Sequence, residues 1–305
     1  ENDDIEVWDT ASGQLKLSIP PLPNTIRFGQ IAVGPDGNTV TSDGEIWNLK
    51  NRQIEMTLSE QSWRVVAISA DGKTLVGSSY DVGPLGVWDL STGKFLLNLG
   101  ERANQSPTSH LNAIAISPDG RTVASAVGHT IEIWEVQTGK LLHTLTASTG
   151  QFNSVRAIAI SADGKTLASG NLDTGIRAWD LRTGQLKLNL FHPLSRYKAV
   201  AISSDSRTIA SACTDNTVKV WDVKTGRLLN TLFGHSNELL DVAISPDDQA
   251  IVSSSHDETI KISYLQTRRQ LRTLSRQSRS VHSYSNTPKS KSIEIGSYDK
   301  TIKIM

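Results

Sequence analysis

The sequence predicts an all-β chain assembled from a repeated unit of four short antiparallel strands. Three observations carry that expectation. A self-similar pattern runs through the 305 residues, and its best copy is TIASACTDNTVKVWDVKTGRLLNTLFGH, Thr208 to His235. Inside that copy, β-rich runs alternate with turn signals at Thr214-Asp215-Asn216 and Lys224-Thr225-Gly226, the punctuation of tight hairpins. Aligned on Trp221, the equivalent positions are Trp8, Trp47, Trp88, Trp134, Trp179, Ser263 and Met305, spaced 39 to 46 residues apart, which is one four-stranded unit per period.

Each unit opens on a hairpin whose first strand runs into a turn: QIAVGPDG, VVAISADG, AIAISPDG, AIAISADG, AVAISSDS, DVAISPDD and the degraded VHSYSNTP. The turn residues suit the task, because Pro fixes φ, Asp bonds back to the backbone and Gly accepts positive φ. The third strand carries the Trp column. A short turn and a fourth strand follow: SGQLKLSI, NRQIEMTL, TGKFLLNL, TGKLLHTL, TGQLKLNL, TGRLLNTL and TRRQLRTL. Runs such as VAISADGKTLVGSS and AIAISPDGRTVASA are apolar on both faces, so no unit can bury itself without a neighbour on either side.

Composition narrows the function classes. With 31 basic and 31 acidic residues the chain has no overall field to gather nucleic acid or an anionic membrane. A single cysteine, Cys213, permits no internal disulfide and reads as a buried, inert thiol. No apolar run approaches the roughly 18 residues that span a bilayer, and residues 1–20 lack the layout of a signal peptide. The expectation is a cytoplasmic, monomeric domain, with processing or excision from something longer suggested by the start at Glu1.

The Trp-Asp pairs at Trp8-Asp9, Trp88-Asp89, Trp179-Asp180 and Trp221-Asp222, the Gly-His at Gly234-His235 and the S-P-D-G turns resemble the WD-repeat β-propeller family, of the bacterial type. The resemblance covers essentially the whole chain. It implies a seven-bladed β-propeller of four-stranded antiparallel blades, packed radially around a central channel in one domain, 1–305. Seven inner hairpins and seven fourth strands fit seven blades, but IEVWD near the start and TIKIM at the end both fit a third strand. A closing blade shared between the N- and C-termini is therefore expected, with 281–297 as its inner hairpin and 14–19 as its outer strand. Residues 4–8 are favoured for the contested place because Trp8 keeps the aromatic anchor; a chain that continues past Met305 into a further blade is the alternative.

In that family a His, a Ser or Thr, an Asp and the Trp of one blade form a buried structural network. Here the resemblance maps it onto Ser211, Asp215 and Trp221, with Pro193 where His would fall and His192 adjacent. The next blade has His235, Ser253 and Asp257 but Ser263 for Trp; the blade of Trp179 has Ser169 and Asp173; that of Trp134 has Ser125, with Gly128 at the Asp position. No blade holds the full set, so apolar packing and turn chemistry are expected to carry the rigidity. His235, Ser253 and Asp257 superficially resemble a catalytic triad, but geometry defines one and composition does not. The seven histidines are scattered, with no HExxH, no Cys partners and no calcium or phosphate loop. No catalytic residue, metal or cofactor is expected, and the chain reads as no enzyme.

What remains is surface. The resemblance places partner docking on the rim formed by the loops entering each innermost strand and by the tight turns of the second hairpin. Those stretches supply Phe28, Trp63, Arg64, Asn112, Phe152, Arg156, Tyr197 and Lys198, with Tyr80, Leu172, His256 and Tyr298 before the turn Asp positions. Aromatics beside Arg are the usual composition of binding hot spots. Phe28, Trp63 and Tyr197 share a column with Leu111, Val155 and Leu239, which also reads as core. The candidate partner face is Trp63, Arg64, Tyr80, Asn112, Phe152, Arg156, Tyr197, Lys198, His256 and Tyr298. The reading is a non-catalytic protein-protein interaction scaffold with its partner on the loop-bearing rim, the ring of a larger regulatory protein. The alternative is an anion-binding module for nucleic acid or acidic lipid through the basic stretch 268–291.

The two ends are charged oppositely: Glu1, Asp3, Asp4, Glu6 and Asp9 against Arg268, Arg269, Arg272, Arg276, Arg279, Lys289 and Lys291. Closure of the ring is expected to be partly electrostatic, so the last blade should unfold more easily as salt rises. Chemical denaturation across a salt series checks this, and a salt-independent transition would contradict it.

Overall fold

Apolar runs broken by Asp- and Gly-centred turns give strands and no helix among the described residues. The computed structural model describes residues 5–9, 14–19, 31–42, 44–51, 53–58, 63–79, 84–100, 111–147, 154–171, 175–190, 196–265, 270–275, 281–287, 292–297 and 301–304. Six blades are four-stranded antiparallel sheets in which each strand lies beside the next in sequence. The first holds β3 (Ile31–Val33), β4 (Thr39–Ser42), β5 (Glu45–Asn48) and β6 (Gln53–Thr57); the second, β7 (Trp63–Ile68), β8 (Thr74–Ser79), β9 (Leu85–Asp89) and β10 (Phe95–Leu99). The third holds β11 (Leu111–Ile116), β12 (Thr122–Val127), β13 (Thr130–Glu135) and β14 (Leu141–Thr146); the fourth, β15 (Val155–Ile160), β16 (Thr166–Asn171), β17 (Ile176–Asp180) and β18 (Leu186–Leu190). The fifth holds β19 (Tyr197–Ile202), β20 (Thr208–Cys213), β21 (Val218–Asp222) and β22 (Leu228–Leu232); the sixth, β23 (Leu239–Ile244), β24 (Ala250–Ser255), β25 (Thr259–Tyr264) and β26 (Gln270–Ser275).

The seventh sheet joins the two ends of the chain in the order β2 (Gln14–Ile19), β1 (Ile5–Asp9), β29 (Thr301–Ile304), β28 (Ser292–Ser297), β27 (Val281–Thr287). The shared closing blade is thus present, but the contested place is settled differently from the expectation. The C-terminal β29 takes third position, antiparallel to β28 with Glu294 opposite Ile304, because it is the near continuation of that hairpin and closes the shorter loop. The N-terminal hairpin then adds as a pair, β1 running parallel to β29 from Glu6 opposite Thr301 to Asp9 opposite Ile304. Both candidate strands are used, and this blade has five strands where the others have four. The side chains in the opposite-charge expectation for the ends lie outside the described residues.

First strands neighbour one another in a closed cycle, β3, β7, β11, β15, β19, β23, β27 and back to β3. The core is correspondingly divided into slabs between blades. Val65, Val76, Leu85 and Leu99 of the second blade pack with Leu111, Val123 and Trp134 of the third. Ile131 and Ile133 meet Val155 and Leu167 across the next junction, and Ile176 and Leu190 meet Tyr197 and Ile209 across the one after. Among the described residues, the second to fifth blades therefore bury both faces, as the two-sided apolar pattern requires.

Turn chemistry keeps the blades in register. In the third blade, Ser117 Oγ donates to Asp119 Oδ1 at 2.6 Å, and Thr122 N–H donates back to Ser117 Oγ at 2.9 Å. Gly120, at φ 70°, lies where a Cβ would come within 2.7 Å of Thr74 Oγ1 of the preceding blade. The Asp of the Trp-Asp pair serves the turn beyond it: Asp222 Oδ1 accepts the Thr225 N–H at 2.6 Å, and Asp180 accepts that of Thr183 at 2.9 Å.

Two turns lack the Gly and use the side chain instead. Asp248 stands at φ 56°, and its carboxylate accepts Ser204 N–H at 2.7 Å and Asp205 N–H at 2.9 Å from the fifth blade, clamping the two blades together. Asp248→Ala should lose these bonds and retain the left-handed strain, costing about 1–3 kcal/mol. Asp248→Gly should cost less, because Gly relieves φ. Urea midpoints of the two variants check the order, and an Ala variant as stable as the Gly variant would refute the strain.

Candidate functional site

Six of the seven first strands share one irregularity. Their pairing with the second strand slips between the first and third residue: Trp63/Val65, Leu111/Ala113, Val155/Ala157, Tyr197/Ala199, Leu239/Asp241 and Val281/Ser283. The residue in each gap is a bulge, opposed by no partner, and a bulge re-aims its side chain away from the pleat. In chain order these residues are Arg64, Asn112, Arg156, Lys198, Leu240 and His282. They stand where the chain enters its innermost strand, so they form a collar around one mouth of the channel. Below it lies a cavity of about 550 Å³ walled by the first strands, with Arg156, Lys198, Leu240 and Asp241 among its lining and Ala, Val and Ile deeper in. The first strands are also the inner edges of their sheets, so backbone groups without sheet partners share that wall.

Arg156 is exposed, while Asn112, Lys198 and Leu240 are half-buried. Lys198 Nζ donates to Glu238 Oε2 at 2.6 Å, across the junction of the fifth and sixth blades. That bond, aided by the charges of Lys198, His256 and Arg196, holds the Glu238 carboxyl below the usual carboxylate range. His256 is exposed on the β24–β25 turn, and its N–H donates to the Glu238 carbonyl at 3.0 Å. Asp241 Oδ1 accepts the Val242 N–H at 2.8 Å.

Of the residues the sequence proposed for a partner, the structure brings Arg156 and Lys198 to one cavity wall and places His256 beside Glu238. Asn112 lies at the same collar position in the third blade. Tyr197 is corrected: it is 0 % exposed and packs with Ile176, Leu190 and Ile209, because its column turns inward between blades as Leu111, Val155 and Leu239 do. Trp63 and Arg64 open β7, but their side chains lie outside the described residues, as do Tyr80, Phe152, Tyr298, Phe28 and Leu172. Residues 268, 269, 276 and 279 and the side chains of the remaining basic positions up to 291 also lie outside them. Glu238, Leu240 and Arg196 were missed. Their signal was available for Leu240, which is the second residue of LLDVAI as Arg156 is of VRAIAI.

The buried network departs from a single pattern. Trp134, Trp179 and Trp221 donate Nε1–H to Ser125, Ser169 and Ser211 at 3.2, 3.2 and 3.1 Å. Trp47 reaches Glu45 instead, at 2.9 Å. In the fifth blade Lys219, 2 % exposed, donates to Asp215 and to Thr217 Oγ1 at 2.8 Å, supplying the donor that a histidine would have brought. In the sixth, His235 bridges Asp257 through Nδ1 and Ser253 through Nε2, both at 2.9 Å. A neutral ring that donates from Nδ1 accepts the Ser253 hydroxyl at Nε2. Asp257 also accepts the Ser236 N–H at 2.9 Å and the Thr259 hydroxyl at 2.6 Å. The connectivity is that of a triad, but Ser253 is 4 % exposed, leaving its hydroxyl no open side for a substrate. Burial pushes the Cys213 thiol up to about 12, the behaviour of an inert core residue.

Burial lowers the His235 pKa, and the hydrogen bonds of Thr259, Ser236 and His235 pull Asp257 down to about 2 against its own desolvation. Both values are depressed relative to the unfolded chain, so both contributions are present at neutral pH and lost on acidification. His235 loses its share below about pH 6.5, and Asp257 between about pH 4 and about pH 2. Asp257→Ala should therefore lower the melting temperature at pH 7 and flatten its fall with acid. Melting curves across that range check this, and parallel slopes in both proteins would contradict it.

Residues 102–135, 139–180, 191–222 and 226–262 match the family described as WD domain, G-beta repeat. The chain is 30% identical over 162 residues to Autophagy-related protein 16 of Arabidopsis thaliana, covering 50% of this chain and 30% of that protein. It is 27% identical over 140 residues to Small ribosomal subunit protein RACK1 of Caenorhabditis elegans, covering 44% and 40%. An uncharacterized WD repeat-containing protein of Synechocystis sp. is 31% identical over 133 residues, covering 40% and 36%. The matches thus span well under two thirds of each relative's own length.

Proposed function

The chain belongs to the WD-repeat family, and from that premise we propose that it is a non-catalytic platform that holds a protein or peptide partner on the rim bearing the collar. The observation that carries this reading is the run of bulges at one channel mouth, each presenting a side chain that no sheet partner occupies. Arg156 is exposed there, and Arg is among the residues enriched where proteins bind. The relatives support a generic platform, since their names place them in different settings, one autophagy-related and one of the small ribosomal subunit. The ring is proposed to act in the cytoplasm as one part of a larger regulatory protein, with no cofactor.

The test is a comparison of two rims. Arg64→Ala, Arg156→Ala and Lys198→Ala combined remove cations from the collar. Arg121→Ala, Lys165→Ala and Arg207→Ala combined remove three exposed cations from the turns at the opposite end of the first strands. Affinity capture should retain the same partners with wild type and the opposite-end variant, and lose them with the collar variant. Partners lost only with the opposite-end variant would move the binding face.

A further inference from the structure

We infer that the outer wall of the ring carries a second binding site, a pocket between the fifth and sixth blades that takes an aliphatic guanidinium. The pocket lies toward the turn end of the first strands, away from the collar, and has a volume of about 550 Å³. Its polar lining is Asp205, Asp247 and Asp248 with Thr208, Asn230 and Gln249, and no Lys, Arg or His is among its described residues. Asp205 is exposed; its Oδ1 accepts the Ser203 hydroxyl at 2.6 Å and the Arg207 N–H at 2.9 Å, and its Oδ2 is bonded to no described residue. Asp248 accepts the two N–H groups of its clamp, and a carboxylate has lone pairs for more. Asn230 is only 6 % exposed, and its Oδ1 has no hydrogen-bond partner among the described residues. A buried acceptor left unpaired points to a donor that arrives from outside.

This junction departs from the others. Asn230 stands opposite Val220 in its ladder, as Met56 does opposite Ile46, Leu97 opposite Val87, His143 opposite Ile133 and Leu188 opposite Ala178. Those four are covered by the next blade, for a Cβ on Gly93, Gly139, Gly184 or Gly226 would come within 3.5 Å of them in turn. The sixth blade has Arg268 at the position of that Gly, and residue 268 lies outside the described residues. No group of three acids among the described residues could hold a metal ion, so the charges of the pocket are too spread for a bare cation. A guanidinium suits them, since its five N–H donors in a planar fork reach separate acceptors where an ammonium is a point charge. Buried Val220, half-buried Leu265 and Leu229, 50 % exposed, give its methylene stem an apolar lip. An arginine of a partner protein and a free alkylguanidine both carry that group.

The probes are agmatine and three blocked tripeptides with Arg, Lys or the uncharged citrulline between two glycines. Calorimetric titration measures their affinities, and isotope-edited NMR shows whether the side-chain amide of Asn230, the signal missing from Asn230→Leu, moves. At about 0.1 M salt the Arg peptide should bind and the citrulline peptide should bind at least about tenfold more weakly. An Arg peptide bound at least about tenfold more tightly than agmatine assigns the site to a protein side chain, and a smaller margin assigns it to the free guanidine. Asp205→Asn with Asp247→Asn keeps an acceptor oxygen in each turn and should weaken the Arg peptide at least about tenfold. Asn230→Leu should weaken it without lowering the melting temperature, because the amide it removes holds an unpaired oxygen. Equal affinity for the Arg and citrulline peptides, binding indifferent to both variants, or a Lys peptide bound more tightly than Arg overturns the inference. Calcium that displaces the Arg peptide overturns it in favour of a metal. Binding seen only after Arg268→Gly with Arg269→Gln overturns it as well, since the chain's own arginines would then be the occupants.

Discussion

The structure depends on one constraint: a four-stranded blade that is apolar on both faces has no stable existence alone. Burial of Val76 and Leu85 is completed by Leu111 and Trp134 of the next blade, that of Ile133 by Leu167, and that of Val220 by Ile251. At about 25 cal/mol per Å² of apolar surface, exposing one such slab would remove most of what stabilises the two sheets that form it. No junction can therefore be left open, and a ring is the arrangement with no end sheets. The cost is that the last sheet must be found at the chain's two ends. The five-stranded closing blade meets that demand by taking the C-terminal strand as a local continuation and the N-terminal hairpin as an added pair.

With packing set between blades, the polar groups are left to organise edges. Ser117, Asp119 and Gly120 shape a turn whose closest neighbour is Thr74 of the previous blade, so turn chemistry and blade spacing are coupled. Asp248 does the same work with a carboxylate where Gly is missing. The interior network shows similar freedom. Serine, glutamate, a buried lysine and a histidine take part in different blades or combinations, because the requirement is a satisfied donor or acceptor in a dry place and not a particular residue. His235, Ser253 and Asp257 illustrate how little connectivity says about chemistry: the same two bonds that would activate a nucleophile here lie where no substrate can approach.

The all-β class, the four-stranded antiparallel unit and the turn positions were legible in the sequence because they are local and repeat. A Pro-Asp-Gly turn between two apolar runs is read from a dozen residues, and several aligned copies remove the ambiguity of one. The closing blade was only half legible. Two strands fit one place, and their ranking by an aromatic anchor ignored the shorter connection that gives β29 first access to β28. For Tyr197 the sequence offered both core and partner face, and the structure takes the core reading: the column it shares with Leu111, Val155 and Leu239 outweighs the polarity of one hydroxyl. Arg156, Lys198 and Asn112 were found as charged or polar neighbours of the entering loops. The bulge they share was not visible, since strands as uniformly apolar as VRAIAI and YKAVAI show no alternation for a one-residue slip to break.

That slip explains why the collar can carry function at all. Residues on either side of it are committed, Val155 to the slab toward the third blade and Ala157 to sheet pairing with Gly170. The bulge residue between them answers to neither partner. Its backbone geometry recurs in six strands while its side chain is Arg, Asn, Arg, Lys, Leu or His, a range no core column tolerates. A substitution there alters the charge at the channel mouth without opening a cavity or breaking a ladder bond. Positions at which this chain's repeats differ in chemistry are thus ones its architecture leaves free, and among the described side chains Arg156, Lys198 and Leu240 stand on the wall of the cavity.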